Sequence, residues 1–319
     1  MTIPSAQTLL RIGIPVLNVA VALGLVIWIA RKVDFSEGWA AVQALSATTI
    51  WVSVFLLLLQ ALLSAWRWCL LSEMIGQRLK ISGAMKLFMQ SLFYNQALPS
   101  PIPGDAARIF GAVKYGLTVG EATLGVVMDR MLTLFGLAVV ALIGLIIMRA
   151  AYGHDFPIPY LTEFTALGVV GTTALAIAFG WRQQLFIRFL PARLHTLSAV
   201  LRAFITHRRM VGIFLLTLVI HGLSVVSLEI LVLGLGLPLG WGQAAAAFPP
   251  VLLIAMVPIS VGGWGLREGG MIISLAVFGI GTTDAATLSV VFGLLQLVVG
   301  LAGGVFVLSR PHSGKIKAL

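Results

Sequence analysis

Two short stretches set charge among helix breakers inside otherwise apolar surroundings: "LPSPIPGDAAR" and "VPISVGGWGLREGG". The first carries Pro99, Gly104, Asp105 and Arg108; the second carries Pro258, Gly262, Gly263, Gly265, Arg267 and Glu268. A planar guanidinium can hold phosphate or carboxylate through two parallel hydrogen bonds. Placing one in a membrane costs at least about 2.5–3.5 kcal/mol at a helix centre on insertion scales, so each arginine needs an acid, water or an anionic ligand. The prolines remove N–H donors and stop the helix, and glycine permits conformations that side chains resist. A helix restarting after such a break presents free N–H groups and the positive end of its dipole, which suits an anion. Arg108 and Arg267 follow about one turn into the restarted helices. The chemistry on offer is anion binding. A second reading of the same residues is structural, with Asp105 paired to Arg108, and Arg267 to Glu268 or Glu229.

Other charges fall at membrane depth. Asp129 and Arg130 are adjacent, point in different directions on a helix, and are predicted to serve different partners. Arg67 lies at the inner end of an apolar run, where snorkelling to the interface is a sufficient expectation. His221 and Glu229 are eight residues apart and roughly share a helix face, which admits a proton-coupled step or a structural pair.

Little else could do chemistry. The single cysteine, Cys69, excludes an internal disulfide and a cysteine-based metal cluster. The five histidines lack ligand spacing, and no Ser/His/Asp arrangement or HExxH is present. "GDAAR" resembles the start of the CDP-alcohol transferase signature, but the later metal-binding aspartates are missing. The sequence therefore predicts no metal, no cofactor and no enzyme, with a lipid headgroup-modifying enzyme or an accessory envelope-lipid protein as the alternatives.

The elements that must position these residues are transmembrane. Of 319 residues 59% are hydrophobic and 10% charged, against roughly a quarter charged in soluble domains. The mean hydropathy is +1.04. Apolar runs long enough to cross the bilayer lie at 12–30, 50–71, 122–148, 160–181, 210–234 and 285–309. The run 12–30 is too long for a signal-peptide core, and Arg31-Lys32 follows it, so it reads as a retained helix. Regions 81–120 and 243–281 are apolar but broken, and are expected to form re-entrant or discontinuous helical hairpins. The loop 182–209 holds six arginines and no acid, so it is placed in the cytoplasm. Its helically spaced apolar residues suit an amphipathic surface segment that attracts anionic lipid. Both termini are then cytoplasmic, although Arg31-Lys32 argues locally against this. The net charge of +10 belongs to such loops rather than to nucleic acid binding.

The fold class expected is an all-α polytopic membrane protein, a single integral domain over 1–319. Repeats 12–148 and 160–309 have opposite orientation in this layout, as in many secondary transporters. Pro99, Gly104 and Arg108 recur as Pro258, Gly263 and Arg267 at one offset of 159. With 34 glycines and 13 prolines in the chain, chance could supply one match, but three at a single offset favour a repeat.

Together "AWRW", "LPSPIPGDAARI", "VVMDRMLTLFG" and "VPISVGGWGLREGG", in this order and spacing, resemble the lysylphosphatidylglycerol synthase transmembrane region family, also called flippase-like domain proteins. The resemblance covers nearly the whole chain and implies a lipid-translocation module. Carried over, the family's positions are Arg67, Pro99, Gly104, Asp105, Arg108, Asp129, Arg130, Pro258, Gly262, Gly263, Gly265, Arg267 and Glu268. Pro101 and Pro103 depart from the family's glycine-rich first tip, and no soluble aminoacyl-transferase domain follows, so synthase activity is not expected. The expectation is a flippase for an anionic phospholipid or polyprenyl-phosphate lipid in the bacterial inner membrane. Arg108 and Arg267 would hold phosphate, with Asp105 and Glu268 positioning them. The partner expected is membrane lipid, and the oligomeric state is left open, a homodimer included.

Overall fold

The computed structural model describes residues 35–74, 79–97, 102–152, 207–256 and 263–308. The expected helices 12–30 and 160–181, most of loop 182–209, Pro99, Pro258, Gly262 and both termini lie outside the described residues. Within them the chain is helical, with no strand.

A short helix α1 (Phe35–Gln43) leads into α2 (Ala47–Met74), then α3 (Ile81–Ala97), α4 (Ile102–Lys114) and α5 (Val119–Tyr152). The second part holds α6 (Arg209–Gly234), α7 (Trp241–Ala255), α8 (Leu266–Ala276), α9 (Thr282–Ala302) and the single turn α10 (Gly304–Leu308). Four stretches are long and apolar enough to cross a membrane: Ala47–Met74, Val119–Ala151, Arg209–Gly234 and Thr282–Val307. They coincide with four of the expected spans, and the protein is a multi-pass membrane protein.

The two broken regions resolve into pairs of short helices. At about 1.5 Å per residue, α3 and α4 reach about 25 and 20 Å, and α7 and α8 about 22 and 16 Å. None spans a hydrocarbon layer of about 30 Å. Within each pair the helices pack on each other. Local chemistry defines several starts. The Glu121 carboxylate accepts the Thr118 N–H at 2.7 Å while the Thr118 hydroxyl accepts the Glu121 N–H at 3.2 Å, a reciprocal cap for α5. Gln243 accepts the Gly240 N–H at 2.7 Å ahead of α7.

In lipid, apolar burial does not drive helices together, so association rests on close packing of small residues and on polar contacts. The sequence supplies both. A Cβ on Gly144 of α5 would strike the backbone of Ala245 in α7, and one on Gly303 would strike the Met89 carbonyl of α3. These glycines let the long helices α5 and α9 lie against the backbones of short ones. Trp68, Phe248 and Phe292 are fully buried between the elements. By contrast Trp51, Phe55, Leu62 and Trp66 line an exposed stripe of α2, as suits a lipid-facing surface.

Candidate functional site

The buried charges gather in two clusters. In the first, Asp129 of α5 joins two arginines from other helices. The Arg67 Nε of α2 donates to its Oδ1 at 2.9 Å, and the Arg108 Nη1 of α4 donates to its Oδ2 at 2.9 Å. Arg67 also donates to the Thr133 hydroxyl at 2.7 Å and to the Thr217 hydroxyl of α6 at 3.3 Å. One residue further along α5, Arg130 turns the other way and grips Asp105 of α4 through two parallel bonds of 2.8 Å each.

Two expectations change here. Arg67 does not snorkel: it is 2% exposed and is held at Asp129. The helix end that made snorkelling plausible is buried by α5 and α6, and the apolar sequence cannot show that. Asp105 lies 3.9 Å from Arg108, a loose contact, and makes its close pair with Arg130 instead. A helix spacing of three residues brings Asp105 and Arg108 near each other, but the parallel fork–carboxylate geometry with Arg130 is the stronger arrangement. That Asp129 and Arg130 serve different partners agrees with the sequence reading.

Arg108 is itself buried, its guanidinium stacked 4.3 Å from the Trp68 ring centroid and 5.1 Å from that of Phe88. Its Nε and Nη2 have no hydrogen-bond partner among the described residues. The cluster has three guanidiniums and two carboxylates, and so a surplus of one positive charge.

The second cluster is local. Arg267 donates to the Glu268 Oε1 from Nη2 at 2.6 Å and from Nε at 3.1 Å. It also donates to the Ser289 hydroxyl at 3.2 Å and to the Gln296 side-chain Oε1 at 3.1 Å, both on α9. The other carboxylate oxygen, Oε2, accepts the Gly265 N–H at 2.5 Å and so caps α8. Gly265 and Gly263 have φ of +85° and +80°, the left-handed region that favours glycine. Opposite, Gly293 of α9 leaves the space that the Arg267 guanidinium fills, since a Cβ there would fall on it. Trp264 stacks on the same guanidinium at 4.7 Å. Of the two acids offered for Arg267, the structure selects Glu268. Glu229 is fully buried in α6, and neither of its oxygens has a hydrogen-bond partner among the described residues.

Between the clusters lies a cavity of about 310 Å³, walled by α2, α3, α5, α6, α7, α8 and α9. Arg130 and Arg267 both line it, as do Gly263, Gln296 and His221. Arg67, Gly104, Asp105, Arg108, Asp129, Glu229 and Glu268 do not. Gly104 instead packs against Asn95 and the Ser91 carbonyl, where a Cβ would not fit. Sequence reasoning missed the cavity's amide-rich wall, including Gln60 and Asn95. It also missed Gly293, whose signal was only a glycine one helix away from an arginine. No group of three or more His, Cys, Asp or Glu residues capable of holding a metal occurs among the described residues.

A family model described as "Lysylphosphatidylglycerol synthase TM region" matches residues 16–304, nearly the whole chain, and the chain belongs to that family. A search of curated proteins found no match.

Proposed function

We propose that this family member moves an anionic lipid across the bacterial cytoplasmic membrane, with the headgroup in the cavity and the acyl chains in the bilayer. One observation carries the reading: a largely apolar cavity has an arginine from each half of the chain on its wall, and each arginine is held by an acid placed outside the wall. Arg130 and Arg267 then meet the phosphate, and Asp105 and Glu268 hold the guanidiniums ready when no lipid is present. Arg108 and Arg67 stand one layer behind with Asp129 and keep α2, α4 and α5 together. Transport on this reading needs no covalent step.

On this reading the two halves form an inverted repeat and work by alternating access. The helix contacts suit a two-fold relation that exchanges α2 with α6, α3 with α7, α4 with α8 and α5 with α9. Under it α3 rests on α9 as α7 rests on α5, and α5 meets α6 as α9 meets α2. The offset of 159 recurs in the glycines where helices touch. Gly104 and Gly263 sit at the breaks. Gly111 packs on Leu87 as Gly270 packs on Val251, and Gly144 and Gly303 carry the close approaches described above. The paired short helices read as hairpins that enter the membrane and return, with one repeat rocking against the other around the cavity.

The test is transport in liposomes of a phospholipid labelled on its headgroup, read by protection from an impermeant quencher. Arg130→Gln with Arg267→Gln is expected to slow the wild-type rate at least ten-fold in protein that still migrates as a folded species. An undiminished rate removes these arginines from the mechanism.

A further inference from the structure

The cavity wall carries charge of one sign and neutral hydrogen-bonding groups of both kinds. Beside Arg130 and Arg267, its polar lining comes from Gln60, Asn95, Gln96 and Gln296, from Ser64, Thr133 and Ser224, and from His221. No carboxylate lines it among the described residues. The acids nearest its arginines, Asp105 and Glu268, are already engaged with them. The network behind Arg130 keeps its surplus positive charge. An ammonium group entering here would meet that surplus and find no carboxylate on the wall among the described residues. A bare phosphate would satisfy the arginines but bring no donors, leaving acceptors such as the unpartnered His221 Nε2 unmet. Hydroxyl groups both donate and accept, and match the amides and hydroxyls of the wall. A volume of about 310 Å³ leaves room for a polyol beside the phosphate.

We infer that the cavity selects a phosphate ester bearing an uncharged polyol, such as glycerol, inositol or a single sugar, and discriminates against headgroups that carry an ammonium. The inference rests on reading the cavity as a lipid headgroup site. Native mass spectrometry of the full chain tests it with lipids of matched acyl chains: phosphatidylglycerol, phosphatidylinositol, phosphatidic acid, phosphatidylethanolamine and lysylphosphatidylglycerol. The first two are expected to be retained at least ten-fold better than the last two, with phosphatidic acid between. Gln60→Glu, which places a carboxylate on the wall, is expected to shift the ratio of lysylphosphatidylglycerol to phosphatidylglycerol upward at least ten-fold. Gln96→Glu serves if the first variant does not fold. Soluble glycerol 3-phosphate at millimolar concentration is expected not to displace the retained lipid. Equal or better retention of lysylphosphatidylglycerol by the unaltered protein overturns the selectivity and leaves the lipid site standing. Failure to retain any of the five, or displacement by glycerol 3-phosphate, overturns the lipid site as well.

Discussion

Arg108 and Arg267 match in sequence at the offset of 159, but Arg108 lies nearly two turns into α4 whereas Arg267 is the second residue of α8, and they are neutralised in different ways. Arg108 shares Asp129 with Arg67, so that one carboxylate joins α2, α4 and α5. Arg267 takes its acid from the next residue on its own helix and completes its bonds on α9. The first arrangement holds separate helices together, whereas the second holds one turn in shape. Only the second arginine reaches the cavity; in the first half Arg130 takes that place. Matching sequence positions therefore do not carry matching duties.

The largest expected break in this comparison is Asp129→Asn. It leaves Arg67 and Arg108 buried without their anion, a loss of about 3–5 kcal/mol for removing one partner of a buried pair. The thermal midpoint in detergent should fall on the order of 10 °C. A shift of only a degree or two would mean that the first cluster does not join the helices. Gly293→Ala is next, because the added methyl meets the Arg267 guanidinium. Overpacking of this kind costs about 1–3 kcal/mol. The readout is a lower midpoint together with lost lipid retention, since Arg267 must move. Retention at wild-type strength would separate Arg267 from the ligand. The smallest effect on stability belongs to Arg130→Lys, whose side chain is 33% exposed. Lysine keeps the positive charge opposite Asp105, so the midpoint should fall least here while the transport rate falls several-fold with the loss of the two-pronged grip. An unchanged rate would make Arg130 a point charge and nothing more.

Four of the expected spans and the two breaks were legible because they depend on composition and on Pro and Gly, which act locally. The Arg267–Glu268 pair was legible as one of two options for the same reason. Arg67 with Asp129, 62 residues apart, was not. A helix end at the edge of an apolar run reads as interfacial until another helix is known to cover it. Asp105 with Arg130, 25 residues apart, was hidden by a closer arginine on the same helix. Which arginines reach the cavity depends on how α5 is rotated, and an almost uniformly apolar helix leaves that rotation unwritten.

Glu268 uses its two oxygens for unlike tasks, one on the Arg267 side chain and one on the backbone N–H of Gly265. A single carboxylate cannot be pulled at one end without loading the other. On the proposed function, an anion that draws on Arg267 is thermodynamically linked to the shape of the turn at Gly265, and such linkage is reciprocal. If bound anion loosens the turn by some factor, loosening the turn tightens the anion by that same factor. Substitutions at Gly265, which does not line the cavity, are a way to measure how strongly the break and an anion bound on the proposed reading sense one another.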